Sequence, residues 1–194
     1  MGKQHLIIDA KTAGWIGRQV MFFVGTAPDQ GGHVNVSPKG PIASLRVLDE
    51  RTIAYLDVIG SGIETVAHVR QNGRICLMLC AFQGPPRIVR LHGRGEALMP
   101  GSPDYQELVD GFDLDAIPGA RESTRSVVRV HVDRVADSCG YGVPLMEMRG
   151  ERPQGDAWVR HMLEQGETAL DDYAVEHNTT SIDGLPGLAN QPRA

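Results

Sequence analysis

The residues whose types and spacing invite chemistry lie within 52–74 (TIAYLDVIGSGIETVAHVRQNGR), where an apolar strand, a glycine turn and a helix start follow one another. Ile53, Ala54, Tyr55 and Leu56 are an apolar run of strand length, closed by Asp57 and then by Gly60, Ser61 and Gly62, where the backbone must turn. A helix is predicted next. Ser61 and Glu64 stand three apart, the spacing of a capping box in which hydroxyl and carboxylate satisfy N–H groups of the first turn. Ile63, Val66, Ala67 and Arg70 then share a helical face, and Asn72 and Gly73 supply a left-handed stop. A helix N-terminus on a glycine turn presents unpaired N–H groups and the positive end of the helix dipole, so an anion is a natural guest. The capping box already uses some of those donors, and read alone the segment favours plain structure.

Cations that could complete an anion site are few and placed on strands. Lys39 follows Pro38 and shares the chain's lysine complement only with Lys3 and Lys11; its structural alternative is a solvated turn residue. Along 87–98 the residues alternate, with Arg90, His92 and Arg94 on one side and Val89 and Leu91 on the other, so one side of that strand is polar and cationic. Arg87 and Arg90 read equally as surface strand charges.

Other chemistries are poorly supported. The seven histidines include no pair four apart with a ligand-like neighbour, so no catalytic metal is expected. No Gly-x-Ser-x-Gly elbow supports a hydrolase triad. Cys76, Cys80 and Cys139 form neither a disulfide set nor a zinc spacing, which fits a reducing cytosol. Cys139, beside Gly140 and Tyr141, reads more readily as a packed loop cysteine than as a reactive thiol. A formal net charge of -5 without a basic block argues against nucleic acid as a partner. No apolar run is long enough to cross a bilayer and no signal-peptide core precedes Lys11, so a cytoplasmic, unanchored protein is expected.

The elements that must position these residues follow from periodicity. A short helix is predicted over 9–20 behind Asp9, strands over 21–26 and 33–37 as a hairpin, the second ending at Pro38, and strands over 44–48 and 52–56 as another. Residues 74–82 are apolar on both faces and predict a central strand; 87–98 and 125–135 alternate and predict two further strands. Ser102, Pro103 and Asp104 open a short helix, a loop runs to Glu122, and 156–173 reads as an amphipathic helix interrupted at Gly166, followed by an arm. Strand links of two to six residues cannot make parallel crossovers, so six or seven short strands in meander order predict a mainly β (α+β) antiparallel barrel with peripheral helices. At 194 residues the chain is most simply one domain.

Five stretches taken together, 35–40 (NVSPKG), 55–57 with 60–65 (YLD and GSGIET), 72–74 (NGR), 85–93 (PPRIVRLHG) and 139–144 (CGYGVP), resemble the pyridoxamine 5'-phosphate oxidase-like family of FMN-binding split barrels. The resemblance covers roughly residues 15–145. It implies a six-stranded antiparallel split β-barrel over residues 1–150, with a C-terminal helix and arm over 151–194 packed on the same domain or on a dimer partner. It further implies a homodimer with FMN at its interface, acting as an oxidoreductase on a small-molecule substrate, with NADH or NADPH as reductants to be tested. Carried over by position, Asn35, Val36 and Ser37 would run beside the flavin ring and Lys39 would reach its phosphate or ring. Tyr55 and Asp57 would line the opposite strand. Ser61, Gly62, Glu64 and Thr65 would cradle the phosphate, Arg87 and Arg90 would face the cofactor, and Cys139 and Tyr141 would lie near a residue contributed by the second subunit. Oxidases of the B6 vitamer carry an Arg-Lys pair just after the phosphate-loop serine, where Gly62, Ile63 and Glu64 stand here, which weakens that substrate assignment. A non-catalytic flavin-binding or sensing protein and a deazaflavin-dependent reductase are the alternatives.

Overall fold

The structure, a computed structural model, describes residues 3–188. Its centre is one antiparallel sheet made of β1 (Lys3–His5), β2 (Phe22–Thr26), β3 (Asn35–Lys39), β4 (Leu45–Val47), β5 (Thr52–Val58), β6 (Arg74–Cys80), β7 (Ile88–Leu98) and β8 (Thr124–Ser138). The strands lie in the order β3-β2-β6-β7-β8-β5-β4, curled as a half-barrel, and β1 pairs with the C-terminal end of β8. This is the expected split-barrel architecture. The strand count differs from the expected six: seven strands follow the path, and β1 is an eighth, too short at three residues to leave a period in the sequence.

The three hairpins β2-β3, β4-β5 and β6-β7 form where short polar turns separate apolar runs. The order is not a simple meander, because β5 and β6 are neighbours in sequence but lie apart in the sheet. The link between them carries α2 (Glu64–Asn72), which packs across β2, β6 and β7. Gly73 closes that helix at φ 71°, the left-handed stop expected from Asn72-Gly73. Ahead of the sheet, α1 (Ala10–Ile16) is shorter than expected and is capped by Asp9, whose Oδ1 accepts from Thr12 N at 2.7 Å. Strand β3 continues through Pro38 where a stop was expected, since an edge strand tolerates a residue with no N–H.

Strand β5 is buried on both faces. Ile53 and Tyr55 point into the main core with Phe22, Val24, Leu77, Leu79, Val89, Leu91 and Val128, and the Tyr55 and Phe22 rings meet edge to face at 5.5 Å. Ala54 and Leu56 point the other way, under Leu108, Phe112, Ile117 and Ala120. These come from α3 (Tyr105–Asp110), α4 (Ala120–Ser123) and their connection, where the sequence predicted only loop beyond Asp110. The C-terminal helix divides as expected at Gly166 into α5 (Gln154–Gln165) and α6 (Ala169–Asn178). Val159, Leu170 and Ala174 of these helices pack on Ile59 of the same chain. Residues 189–194 of the expected arm lie outside the described residues. Among the described residues no helix is long and apolar enough to cross a membrane.

Strands β7 and β8 shift register between His92 and Gly93, and there the backbones approach so closely that a Cβ on Gly93 would lie 2.0 Å from His131 O. Only backbone atoms stand in the way, so the sheet itself would have to move. Gly93→Ala is therefore expected to cost about 3 kcal/mol, read as a lower urea midpoint. Gly142→Ala, whose Cβ would meet nothing within 4 Å, should stay within about 0.5 kcal/mol of the unaltered protein.

Candidate functional site

Asp57 sits in an otherwise apolar strand with no accessible surface, so its charge must be answered locally. Two cations answer it. Arg125 Nε donates to Asp57 Oδ2 at 2.8 Å, Lys39 Nζ donates to Oδ1 at 2.9 Å, and Ser126 Oγ adds a bond to Oδ2 at 3.2 Å. Burial pushes the carboxyl up, but Arg125 and Lys39 outweigh it and hold Asp57 well below the usual carboxylate range. Arg125 reaches this position because the β5-β8 ladder shifts at Asp57/Val58: Asp57 faces Ser126 and Val58 faces Thr124, so Arg125 is the extra residue of a bulge.

The rest of the Arg125 guanidinium holds the glycine turn. Nη2 donates to Gly62 O at 2.8 Å, and Nη1 donates to Asn178 Oδ1 at 2.6 Å. Asn178, fully buried at the end of α6, donates in turn to Gly60 O at 2.9 Å. Two carbonyls of the turn are thus tied down to a buried arginine and a buried asparagine. The capping box does not form. Helix α2 begins only at Glu64, with Ile63 as its N-cap and no side-chain cap bond. Ser61 lies too far back to serve, because the turn pinned through Gly60 and Gly62 delays the helix. The Glu64 carboxylate instead folds back over Gly62, where a Cβ would be 2.4 Å from Oε2, and accepts from Ile182 N at 3.3 Å. The C-terminal segment is further tied by Asp183, which accepts from His33 N at 2.8 Å and meets His33 Nδ1 at 2.7 Å, and by Gly187 O, which accepts from Arg70.

A second polar cluster lies behind β3. Asn35 Nδ2 donates to Thr26 Oγ1 at 3.1 Å and to Thr65 Oγ1 at 3.0 Å, while its Oδ1 accepts from Ser37 Oγ at 3.0 Å. Thr26 Oγ1 also meets His68 Nδ1 at 3.0 Å. Burial keeps the His68 imidazole below its ordinary range, although the charges of Asp183 and Glu64 pull the other way. Tyr55 is pushed well up, by burial first and by the Asp57 charge next.

These elements surround a cleft of about 780 Å³, lined by Ser37, Lys39, Ser61, Gly62, Glu64 and Thr65 together with Arg125 and Arg152. Six of the residues singled out from the sequence therefore meet in one place. Two others, Arg87 and Cys139, line a larger cleft of about 1510 Å³ that shares Val20, Met21, Met148 and Arg152 with the first. There Arg87 is engaged by Asp137 at 2.8 Å and lies over the Trp15 ring at 4.7 Å. Asn35 stands behind the wall, Tyr55 and Asp57 are buried beneath it, and Val36 points outward from the sheet edge. Arg90 is turned to Ser138 Oγ at 3.4 Å, and Tyr141 is exposed away from both clefts. Among the described residues no group of three or more metal-ligating side chains converges.

Arg125, Asn178, Thr26 and His68 were not anticipated from the sequence. Asp57 was the available signal for Arg125: a carboxylate ending a buried apolar strand requires a cation, but not one of known position. Asn178 carried no signal at all.

An antiparallel half-barrel with its polar cleft between a strand edge and a pinned helix start defines the class, and matches with known proteins define the family. The family model described as pyridoxamine 5'-phosphate oxidase matches residues 8–139, and the chain belongs to that family. The pyridoxamine 5'-phosphate oxidase family protein ustO of Aspergillus flavus is 38% identical, over 92% of this chain and 75% of that protein. The fold is similar to the crystal structure of a FAD-binding protein from Mesorhizobium loti, with a TM-score of 0.50 and 15% identity over 71% of this chain and 96% of that one.

Asp57→Asn removes the buried carboxylate that two cations share, and breaking a buried pair in this way is expected to cost about 3–5 kcal/mol in urea unfolding. The pH dependence has a definite sign. A carboxyl held below its unfolded value of about 3.9 stabilises the fold fully above that pH, and the contribution is lost as pH falls through the folded value. Stability of the unaltered protein should therefore fall in acid below about pH 4, more steeply than that of Asp57→Asn.

Proposed function

We propose that the chain is an FMN-dependent flavoprotein oxidoreductase of the cytosol, working as a homodimer with the cofactor in the 780 Å³ cleft and acting on a small-molecule substrate. The observation that carries this reading is the charge beneath the glycine turn. Lys39 and Arg125 bring two positive charges to the single negative charge of Asp57, so the floor of the cleft keeps one net positive charge, partly shielded from water. Helix α2 adds its uncapped N-terminus, and Ser61 and Thr65 add hydroxyl groups. This donor set fits a phosphate, which takes backbone N–H groups and a cation together. Three lining carboxylates carry the wrong sign, Glu64, Glu151 and Asp156; the bond from Ile182 N occupies part of Glu64, and Asp156 is paired with Arg160 at 2.9 Å.

In this reading Lys39, Ser61, Thr65 and the start of α2 hold the phosphate. Ser37, held from behind by Asn35, orients the ring from β3. Bound FMN supplies the electron-accepting and hydride-accepting chemistry, and the protein supplies position and electrostatics. The FAD-binding Mesorhizobium loti protein lends support through its similar fold. Homodimer formation is supported by the large apolar side chains left exposed on and beside β3, Val34 and Val36, and after β8, Tyr141, Leu145 and Met146. NADH and NADPH are the reductants to try first.

The purified protein is expected to be yellow, to release FMN identifiable by mass, and to elute at twice the chain mass. A deazaflavin spectrum would replace the cofactor in this reading, and a colourless protein that takes up no added FMN would overturn it. Lys39→Met should weaken FMN binding about tenfold, the size of one lost charged hydrogen bond. Its urea midpoint should change less than that of Asp57→Asn, because Arg125 still answers the carboxylate.

A further inference from the structure

Two buried side-chain atoms lack a hydrogen-bond partner among the described residues, Tyr55 Oη and His68 Nε2. The second ends a chain of bonds that runs out to the cleft: His68 to Thr26, Thr26 to Asn35, and Asn35 to Ser37. With the Asn35 amide as placed, counting hydrogens gives the direction of donation along this chain. Asn35 has two N–H donors, and both are used, on Thr26 and Thr65; its oxygen is used by the Ser37 hydroxyl. Reversing the amide would turn Oδ1 to both threonines and leave one N–H on the open side beyond Ser37, whereas the observed placement uses both N–H groups and the oxygen within the protein. With the amide as it is, Thr26 Oγ1 accepts from Asn35 and has its own hydrogen left to give. The acceptor for it is His68 Nδ1, 3.0 Å away.

We propose that His68 is a positioning residue which, as the neutral tautomer carrying its proton on Nε2, fixes this chain so that Ser37 gives its hydrogen inward to Asn35 and offers the cleft an acceptor. The group of the ligand that rests on Ser37 is then a hydrogen-bond donor, an N–H or O–H, and not a carbonyl or a phosphate oxygen. This divides the cleft by chemistry: acceptor at Ser37, cations and helix N–H groups at Lys39 and the glycine turn. The inference rests on the FMN reading for the identity of the ligand but not for the direction of the chain. His68 itself touches neither cleft; it acts through Thr26 and Asn35.

Two measurements test it. The first needs no cofactor: long-range proton–nitrogen NMR of the histidines in the full chain at pH 7, with His68 assigned by its loss in His68→Asn. A bare Nδ1 and a protonated Nε2 are expected; a proton on Nδ1 would make His68 a donor to Thr26, remove its constraint on the chain and overturn the proposal. The second is FMN affinity in three variants. His68→Leu, which removes the acceptor, and Thr26→Val, which breaks the chain, are each expected to weaken FMN about tenfold. His68→Asn, whose Oδ1 can stand in for Nδ1, should recover to within about threefold of the unaltered protein. Recovery separates a directed hydrogen bond from simple filling of the core, which Leu also provides. If the unaltered protein binds FMN and all three variants bind it equally, the positioning role is wrong while the flavin reading stands. If nothing binds FMN but Nδ1 is bare, the flavin reading fails and the fixed direction of the chain survives.

Discussion

A carboxylate that is fully buried in a β-strand must be neutralised within hydrogen-bond reach, and in this protein that requirement at Asp57 organises the site. Meeting it brings Arg125 inward through a bulge in β8 and draws Lys39 across from β3. The arginine has donors to spare, and it spends them on the carbonyl of Gly62 and on Asn178. The glycine turn, the edge strand and the last helix are therefore held by one ion cluster. None of the three would keep its place through its own local propensity: the turn, Gly60 to Gly62, has no apolar side chain to pack, β3 has one sheet neighbour, and α6 reaches the site only through its final residue.

The same cluster explains how an acidic residue is tolerated at the mouth of the cleft. Because Arg125 and Asn178 pull the turn's carbonyls inward, α2 starts late, and Glu64 occupies the first helical position instead of reaching back to a cap. Its carboxylate then finds a backbone donor in the C-terminal segment. That segment is fastened along its length by Asn178, Asp183 and Gly187, so it forms part of the wall around α2. Helix α2 in turn carries Thr65 and His68, which join the hydrogen-bond cluster behind β3. The ion cluster and the neutral polar cluster thus meet the cleft from opposite sides, one supplying charge and the other direction.

Much of the architecture was legible in the sequence, for a reason visible in the hairpins. Residues 21–26, 33–37, 44–48 and 52–56 alternate or run apolar between short polar turns, and local pairing follows such patterns directly. Six residues of the 780 Å³ cleft were also legible, because Lys39 and the 60–65 stretch belong to continuous motifs. What could not be read depends on contacts between distant residues. The Asp57–Arg125 pair joins positions 68 apart, and it relies on a bulge, which leaves no periodic trace in β8. Asn178 looks like any polar residue ending a helix until the buried guanidinium is in place beside it. The capping box failed for the same reason: Ser61 and Glu64 have the right spacing, and a remote arginine overrides it.

Pro38 shows how the exposed margin of the sheet is kept from spreading. The ladder between β2 and β3 passes through Pro38 without a change of register, so the N–H that proline lacks is missing from the outer row of β3. An incoming strand would find that row interrupted midway, beside the outward valines Val34 and Val36. Open-ended growth of the sheet from molecule to molecule, the route to fibrous aggregates, is therefore blocked at the backbone. The apolar side chains along the same margin stay available for a closed contact, in which packing replaces strand pairing.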